Sequence, residues 1–288
     1  MSKLITVAVL GVLLAGCSPL TLLNQASADR HYERTADLAY GPESRHLLDV
    51  YRPRQPLDAR PLVVFFYGGA WRSGAKENYE FVASALTDAG ITVIIPDYRL
   101  FPEVTFPAFV EDAAAAVSWA VRNADELGVS TDAVFLMGHS AGAHIASLVA
   151  LDPSYLSELP DPEVSIRAWI GLSGPYDFLP IDRGFLLDVF PEPARDQSQP
   201  INHVTSTAPP ALLIHGTGDK TVRFENSQSL AGRLREEGVA ARLTTYEGVG
   251  HVSVMLALAP TLDFLADTLQ DSRDYILESL GERFAAGE

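Results

Sequence analysis

The residues whose types and spacing could do covalent chemistry are Gly138-His139-Ser140-Ala141-Gly142. They match the pattern Gly-x-Ser-x-Gly, in which a serine sits on a tight, strained turn between a strand and a helix. Small residues at 138 and 142 let that turn close without clashes. The context agrees: the apolar run Ala133 to Met137 leads in as a strand, and the alanine-rich stretch Ala141 to Ala150 leads out as a helix. A hydroxyl held at a helix N-terminus faces backbone dipoles that stabilise developing negative charge. The hydroxyl itself is a weak nucleophile until a base takes its proton. The rest of the chain must therefore supply a base, an acid to orient it, and donors for an oxyanion.

His251, in Gly248-Val249-Gly250-His251, is the leading base. It follows a strand ending at Tyr246 and precedes a helix, which places it on a loop at the C-terminal edge of a sheet. His215 precedes the best acid and breaks the order Ser, Asp or Glu, His, so it reads as structural. His139 and His144 flank the serine turn and read as packing or local polarity. The acid must hold the tautomer of the base and stabilise its protonated form. Asp219, just after the strand Ala211 to His215, fits best; Asp177 and Asp182 fall in the same interval. Asp97 and Asp112 precede the serine and read as structural. For the oxyanion, backbone N–H groups are needed. Ala141 supplies one, and Gly68 and Gly69 in Tyr67-Gly68-Gly69-Ala70-Trp71 supply the others, on a loop where glycine permits close approach.

These groups need a rigid frame. From residue 61 onward, strands and helices alternate. Leu62 to Phe66 is an unbroken apolar run, as in a strand covered on both faces. Glu77 to Ala89 reads as a helix ended by Gly90, Ile91 to Ile95 as a strand, and Pro107 to Leu127 as a long helix ended by Gly128. Further strands are expected at Ala168 to Leu172, Ala211 to His215 and Arg242 to Tyr246, with helices at Asn226 to Glu237 and Ser253 to Leu269. Such alternation predicts an α/β fold, a mostly parallel central sheet with helices on both faces. Ala36 to Pro53 adds an antiparallel pair at the edge. Residues 176–210 form one long irregular connection, expected as a small cap insertion that lines the pocket and favours short acyl groups; Trp71 could narrow the same pocket.

The N-terminus reads as an address. Lys3 and the apolar run Leu4 to Leu14 are too short to span a bilayer comfortably, and they end in Leu14-Ala15-Gly16-Cys17. This looks like the lipobox of a bacterial lipoprotein. It divides the chain into a signal peptide over 1–16, a lipidated tether over 17–35 beginning at Cys17, and a catalytic domain over 36–288. The implied location is the cell envelope, with a membrane partner through the lipid anchor. Ser18 after the cysteine resembles outer-membrane retention, facing the periplasm or exterior. Cys17 is the only cysteine, so neither a disulfide framework nor a cysteine metal site is expected. A net charge of −16, from 37 acidic and 21 basic residues with no basic run, argues against nucleic acid. Oligomeric state is left open.

Leu48-Asp49-Val50-Tyr51, Tyr67-Gly68-Gly69-Ala70-Trp71, Asp97-Tyr98-Arg99-Leu100, the Ser140 turn, His215-Gly216-Thr217-Gly218-Asp219 and Gly250-His251 occur in that order. Together they resemble the α/β-hydrolase esterases related to hormone-sensitive lipase and kynurenine formamidase, in particular the bacterial carboxylesterase and feruloyl-esterase-like branch. The resemblance covers Tyr40 to Leu269. It implies ester or amide hydrolysis through an acyl-enzyme, with no metal and no organic cofactor, and the leading reading is a carboxylesterase acting on small acyl esters. A kynurenine-formamidase-like amidase and a non-catalytic binding module are the alternatives. Expected export argues against the first, and the availability of Ser140, Asp219 and His251 against the second. These families usually carry His-Gly-Gly where this chain has Tyr67-Gly68-Gly69, so Tyr67 is expected to hold the loop through its hydroxyl.

Overall fold

The computed structural model describes residues 20, 23, 24, 31–157, 159, 164–181 and 184–281. Eight strands form one sheet in the order β1-β2-β4-β3-β5-β6-β7-β8. They are β1 (Tyr32–Ala39), β2 (Leu47–Pro53), β3 (Leu62–Phe66), β4 (Thr92–Pro96), β5 (Val134–His139), β6 (Ala168–Leu172), β7 (Ala211–Gly216) and β8 (Ala241–Tyr246). The pairs β1/β2 and β2/β4 are antiparallel and every other neighbouring pair is parallel. The strands β3, β4, β5 and β6 are buried along their whole length, which is why they read as apolar runs without alternation. At the edge, β8 is part exposed and its sequence mixes Arg242, Thr244 and Thr245 with apolar residues.

The helices relevant to the site are α1 (Glu80–Asp88), α2 (Ala108–Arg122), α3 (Ala141–Leu151), α4 (Gly184–Val189), α5 (Glu225–Glu236), α6 (His251–Leu256) and α7 (Thr268–Leu280). In α3 all but Ala150 is buried. It lies close against β5, β6 and β3, and Gly142 is the reason it can: a Cβ there would fall 2.0 Å from the carbonyl oxygen of Phe66. Ile145 and Leu148 are fully buried on this helix; truncating either to alanine should cost about 2–5 kcal/mol.

Several elements differ from the pattern reading. The helix expected over Pro107 to Leu127 breaks at Asn123, whose side-chain amide donates to the Trp119 carbonyl at 2.7 Å, and a single further turn covers Ala124–Leu127. The helix expected over Ser253 to Leu269 is instead α6, a 3₁₀ segment at Pro260–Leu265, and α7. Pro260 has no N–H to continue a helix. The segment over Glu77 to Ala89 begins as a 3₁₀ turn, Lys76–Tyr79, before α1.

The first strand starts at Tyr32, inside the stretch expected to be tether, because it pairs with β2 from Tyr32↔Pro53 onward. The chain touches the domain even earlier: Leu20 and Leu23 pack on the core, the Asn24 side chain donates to the Glu77 carbonyl at 2.6 Å, and its oxygen accepts from the Phe81 amide at 3.0 Å. A polar composition suggested a spacer, but two leucines and one asparagine suffice to dock it. Cys17 lies outside the described residues, and no described helix is long and apolar enough to cross a membrane.

Candidate active site

The parallel register brings the chemistry to one edge of the sheet. Residues Phe66, His139 and Leu172 end adjacent strands β3, β5 and β6, while β7 and β8 end at Gly216 and Tyr246. The glycine loop, Ser140, Asp219 and His251 follow from β3, β5, β7 and β8. Ser140 has φ 55° and ψ −121°, a conformation that costs energy for any residue with a Cβ. Its amide donates to the Leu172 carbonyl at 2.9 Å, which holds the turn. Gly138 is required beneath it, since a Cβ there would fall 2.3 Å from the Gly142 carbonyl oxygen.

Ser140 Oγ lies 2.9 Å from His251 Nε2, and His251 Nδ1 lies 2.7 Å from Asp219 Oδ2. A carboxylate can only accept, so Nδ1 carries the proton and Nε2 presents a lone pair to the serine O–H. The Asp219 carboxylate is buried, with its Oδ1 accepting from the amides of Thr221 at 2.8 Å and Val222 at 2.9 Å. His215 Nε2 lies 3.3 Å from Asp219 Oδ2 and 3.1 Å from the Val222 carbonyl, while its Nδ1 lies 2.7 Å from Ser227 Oγ. Both neighbours of Nε2 are acceptors, so its proton is shared between them. Burial by itself would raise the Asp219 carboxyl. Hydrogen bonds from His215, His251 and the Val222 amide outweigh it and hold the group well below the usual carboxylate range. His215 is thus a structural residue whose bonds fix both the acid and the loop after it.

The competing acids are elsewhere. Asp177 is exposed, and its amide is bonded to Asn226 Oδ1 at 2.9 Å. Asp182 lies outside the described residues. Asp112 is buried against Arg99, 2.6 Å away, and His46, 2.9 Å away. Asp97 belongs to the underside of the glycine loop. There the Tyr67 hydroxyl donates to Asp97 Oδ1 at 2.6 Å and accepts from Arg45 at 2.8 Å. The Tyr67 ring is stacked between Tyr79 and Tyr98, and its carbonyl accepts from the Tyr98 hydroxyl at 2.8 Å. Burial raises the Asp97 carboxyl above its ordinary value, more than Tyr67, Arg45 and the Lys76 amide lower it.

Above Tyr67 the loop tightens. Gly69 has φ 141°, and a Cβ on it would fall 1.9 Å from the Ser73 carbonyl oxygen. Ala70 and Trp71 also have positive φ. Gly68 passes so close to Ser140 that a Cβ would lie 3.0 Å from both the Ser140 Cβ and the His139 carbonyl oxygen. The amides of Gly69 and Ala141 find no acceptor among the described residues.

Two histidines have roles that pattern reading missed. His139 Nε2 donates to the His251 carbonyl at 3.1 Å, so it props the backbone of His251; burial, and then the nearby His251, push it down to about 3. His144 is fully buried and pushed down to about 3 by burial. Its Nε2 donates to the Ser198 carbonyl at 2.7 Å, leaving Nδ1 to accept from the Trp71 indole at 3.3 Å. It therefore ties the glycine loop to the 176–210 connection. The residue types carried no signal for either bond, because the partners lie 112, 54 and 73 positions away.

A cavity of about 260 Å³ opens onto Ser140, walled by Trp71, Phe178, Ile181, Phe185 and Leu186. A larger hollow of about 590 Å³, bordered by Val149, Pro153 and Pro209, holds none of the residues that could do chemistry. Among the described residues no group of His, Cys, Asp and Glu is placed to hold a metal ion.

Comparison with known proteins agrees with this architecture. The chain is 32% identical over 265 residues to a probable isoprenylcysteine alpha-carbonyl methylesterase of Oryza sativa subsp. japonica, spanning 84% of this chain and 61% of that protein. It is 34% identical over 227 residues to the esterase LipC of Mycobacterium tuberculosis, spanning 72% of this chain and 56% of the relative. The chain thus spans little more than half the length of these relatives. Among solved structures, Thermogutta terrifontis esterase 2 phosphoramylated by tabun superposes with a TM-score of 0.71 at 26% identity, covering 90% of this chain and 97% of that one. The sheet order and the strand–turn–helix at Ser140 are those of the α/β-hydrolase fold, and residues 48–234 match the BD-FAE family. With well over half its length inside that match, the chain belongs to the BD-FAE family.

Proposed function

We propose that the protein is a serine carboxylesterase that cleaves short-chain acyl esters through an acyl-enzyme. The observation that carries the reading is the continuous hydrogen-bond path Ser140–His251–Asp219, at 2.9 and 2.7 Å, on a strained turn. Ser140 Oγ attacks the ester carbonyl carbon as its proton passes to His251 Nε2. The oxyanion is held by the amides of Ala141 and of the loop at Gly68 and Gly69. Collapse of the tetrahedral intermediate breaks the bond to the alkoxy oxygen, which takes the proton from His251 and leaves as the alcohol. Water, deprotonated by His251, then releases the acid and restores Ser140. Asp219 stays ionised throughout and stabilises the imidazolium.

A cavity of about 260 Å³ is below the roughly 300–1,000 Å³ of pockets for larger ligands, and its aromatic wall is held by His144. This supports short acyl groups. Each methylene that fits should gain about 0.8 kcal/mol, and one that meets Trp71 or Phe178 should lose orientation. In a 4-nitrophenyl ester series, kcat/KM should peak between acetate and about butyrate and fall steeply beyond. A profile still rising at decanoate would refute the short-chain reading. The mechanism is tested with a fluorophosphonate probe, chosen because the Thermogutta relative accepts a phosphorus group from tabun. Ser140→Ala should abolish labelling and lower kcat by about 10⁶; a labelled variant would remove Ser140 from the mechanism.

The signal peptide over 1–16 and lipidation at Cys17 belong to the same proposal, supported by the Leu14-Ala15-Gly16-Cys17 motif. Leu20 already packs on the domain. Three extended residues reach about 11 Å, so the lipid would hold the enzyme close to the membrane rather than on a long leash. Intact-mass measurement of membrane fractions should show a diacylglyceryl group on an N-terminus at Cys17. An unmodified full-length chain in the cytoplasm would overturn this localisation.

A further inference from the structure

The cavity at Ser140 is walled mostly by apolar side chains, with Ser140, Thr221, Asn226 and Arg223 as its polar lining. Among the described residues lining it, Arg223 is the only ionisable one. Its backbone is firmly placed. The two preceding amides, Thr221 and Val222, donate to Asp219, and its own carbonyl accepts from the amide of Asn226 at 3.0 Å and from the Asn226 side chain at 3.2 Å. The same Asn226 side chain accepts, through its oxygen, from the amides of Tyr176 and Asp177, on the opposite side of the cavity mouth. The guanidinium, by contrast, is exposed and bonded to none of the described residues. The one carboxylate in its own loop, Asp219, is committed to His251 and His215. A second arginine, Arg72, lies over the ring of the cavity residue Phe185 at 4.4 Å, also with no carboxylate partner among the described residues.

Arg223 and Arg72 thus bring to one opening two guanidinium groups without a carboxylate partner among the described residues, whereas Arg34, Arg45 and Arg99 are each paired with an acid. A fixed cation beside a low-dielectric wall favours an anion brought to it, both in approach and when bound. We infer that Arg223, with Arg72 at the rim, selects esters that carry a carboxylate a few bonds from the scissile carbonyl. The apolar wall takes the intervening methylenes. This deepens the esterase reading and rests on it. The carboxylate could sit on the acyl part or on the alcohol part; the chemistry of recognition is the same.

Two matched pairs separate those sources. The 4-nitrophenyl hemiester of glutaric acid is compared with 4-nitrophenyl butyrate, and the butyryl ester of 3-hydroxybenzoate with phenyl butyrate. For each pair the anionic-to-neutral ratio of kcat/KM is measured in the wild type and in Arg223→Gln and Arg223→Lys. At least one ratio should fall about tenfold in Arg223→Gln, as for loss of a charge-assisted contact, and less in Arg223→Lys. Added salt should lower the same ratio in the wild type. A fall of threefold or more in either pair supports the assignment and shows which side carries the anion. A smaller change in both pairs overturns it. Because turnover depends on the esterase reading, glutarate binding is also measured by calorimetry in Ser140→Ala. Arg223→Gln in that background should weaken binding about tenfold, and unchanged affinity overturns the assignment whether or not any ester is hydrolysed. Failure of both neutral esters to turn over counts against the esterase reading alone.

Discussion

Two buried carboxylates lie near the Ser140 turn, and they are held in opposite ways. Asp97 lies beneath the glycine loop and meets Tyr67, Arg45 and the Lys76 amide, yet burial wins and its carboxyl is raised. Asp219 lies behind His251 and meets two imidazoles and two amides, and its carboxyl is depressed. The difference is in what each must do. Asp97 needs only to accept hydrogen bonds that fix the loop, and a neutral acceptor can do that. Asp219 must be charged when His251 is, so its surroundings stabilise the anion. Donor number and type, rather than burial, separate a scaffold carboxylate from one suited to catalysis.

Replacing each acid with its neutral isostere breaks the comparison most sharply. Asp219→Asn should lower kcat by about 10⁴, because the amide favours the wrong His251 tautomer. Asp97→Asn keeps an acceptor toward Tyr67 and should stay within about tenfold of wild type. Steady-state kinetics on both, with Asp177→Asn as a bystander, decides the matter. Equal losses at 97 and 219 would show that the depressed carboxylate has no special role.

The acid side of the stability profile extends the comparison. His139 and His144 sit at about 3 in the fold and near 6.5 when unfolded. Between those values the unfolded chain binds two protons that the folded one refuses. Their contribution is complete above about pH 6.5 and lost as pH falls toward about 3, with a slope near 2.7 kcal/mol per pH unit around the middle. Asp219, depressed, adds to the loss below about pH 4. Asp97, raised, opposes it, since its contribution is full at low pH and disappears as pH rises through its folded value. Urea unfolding at a series of pH values should show the steep fall, and Asp97→Asn should steepen it. A flat profile from neutrality to pH 4 would mean that the two histidines accept protons in the fold.

Tyr67→Phe is the smallest of these tests. It leaves the ring stack with Tyr79 and Tyr98 intact but removes the bond to Asp97 and the acceptor for Arg45. A cost of about 0.5–1.5 kcal/mol in unfolding free energy is expected from the lost hydrogen bonds, since Asp97 Oδ1 keeps Arg45 and the Lys76 amide. The loss of kcat should be modest and should not be accompanied by loss of probe labelling. An unchanged melting temperature would separate the hydroxyl from the positioning of the loop.

Much of the fold and the reactive core could be read from the chain by itself, because those features are local. Five consecutive residues specify the Ser140 turn. Unbroken apolar runs mark β3 to β6, and the order Ser140, Asp219, His251 follows the order of the strands that carry them. Even the substitution of tyrosine for histidine at position 67 pointed to a hydroxyl that holds the loop. What the pattern could not place were boundaries set by single side-chain bonds, as at Asn123, and pairings between distant segments. Arg45 and Tyr67 meet across 22 positions, Trp71 and His144 across 73, His139 and the His251 carbonyl across 112. Hydrophobic period and turn chemistry report only a few neighbouring residues, whereas the state of a buried carboxylate depends on every donor that folding brings to it. For that reason the strained turn at Ser140 was a property of the sequence, and the contrast between Asp97 and Asp219, like the placement of the Arg223 guanidinium at the cavity, was decided only by the tertiary structure.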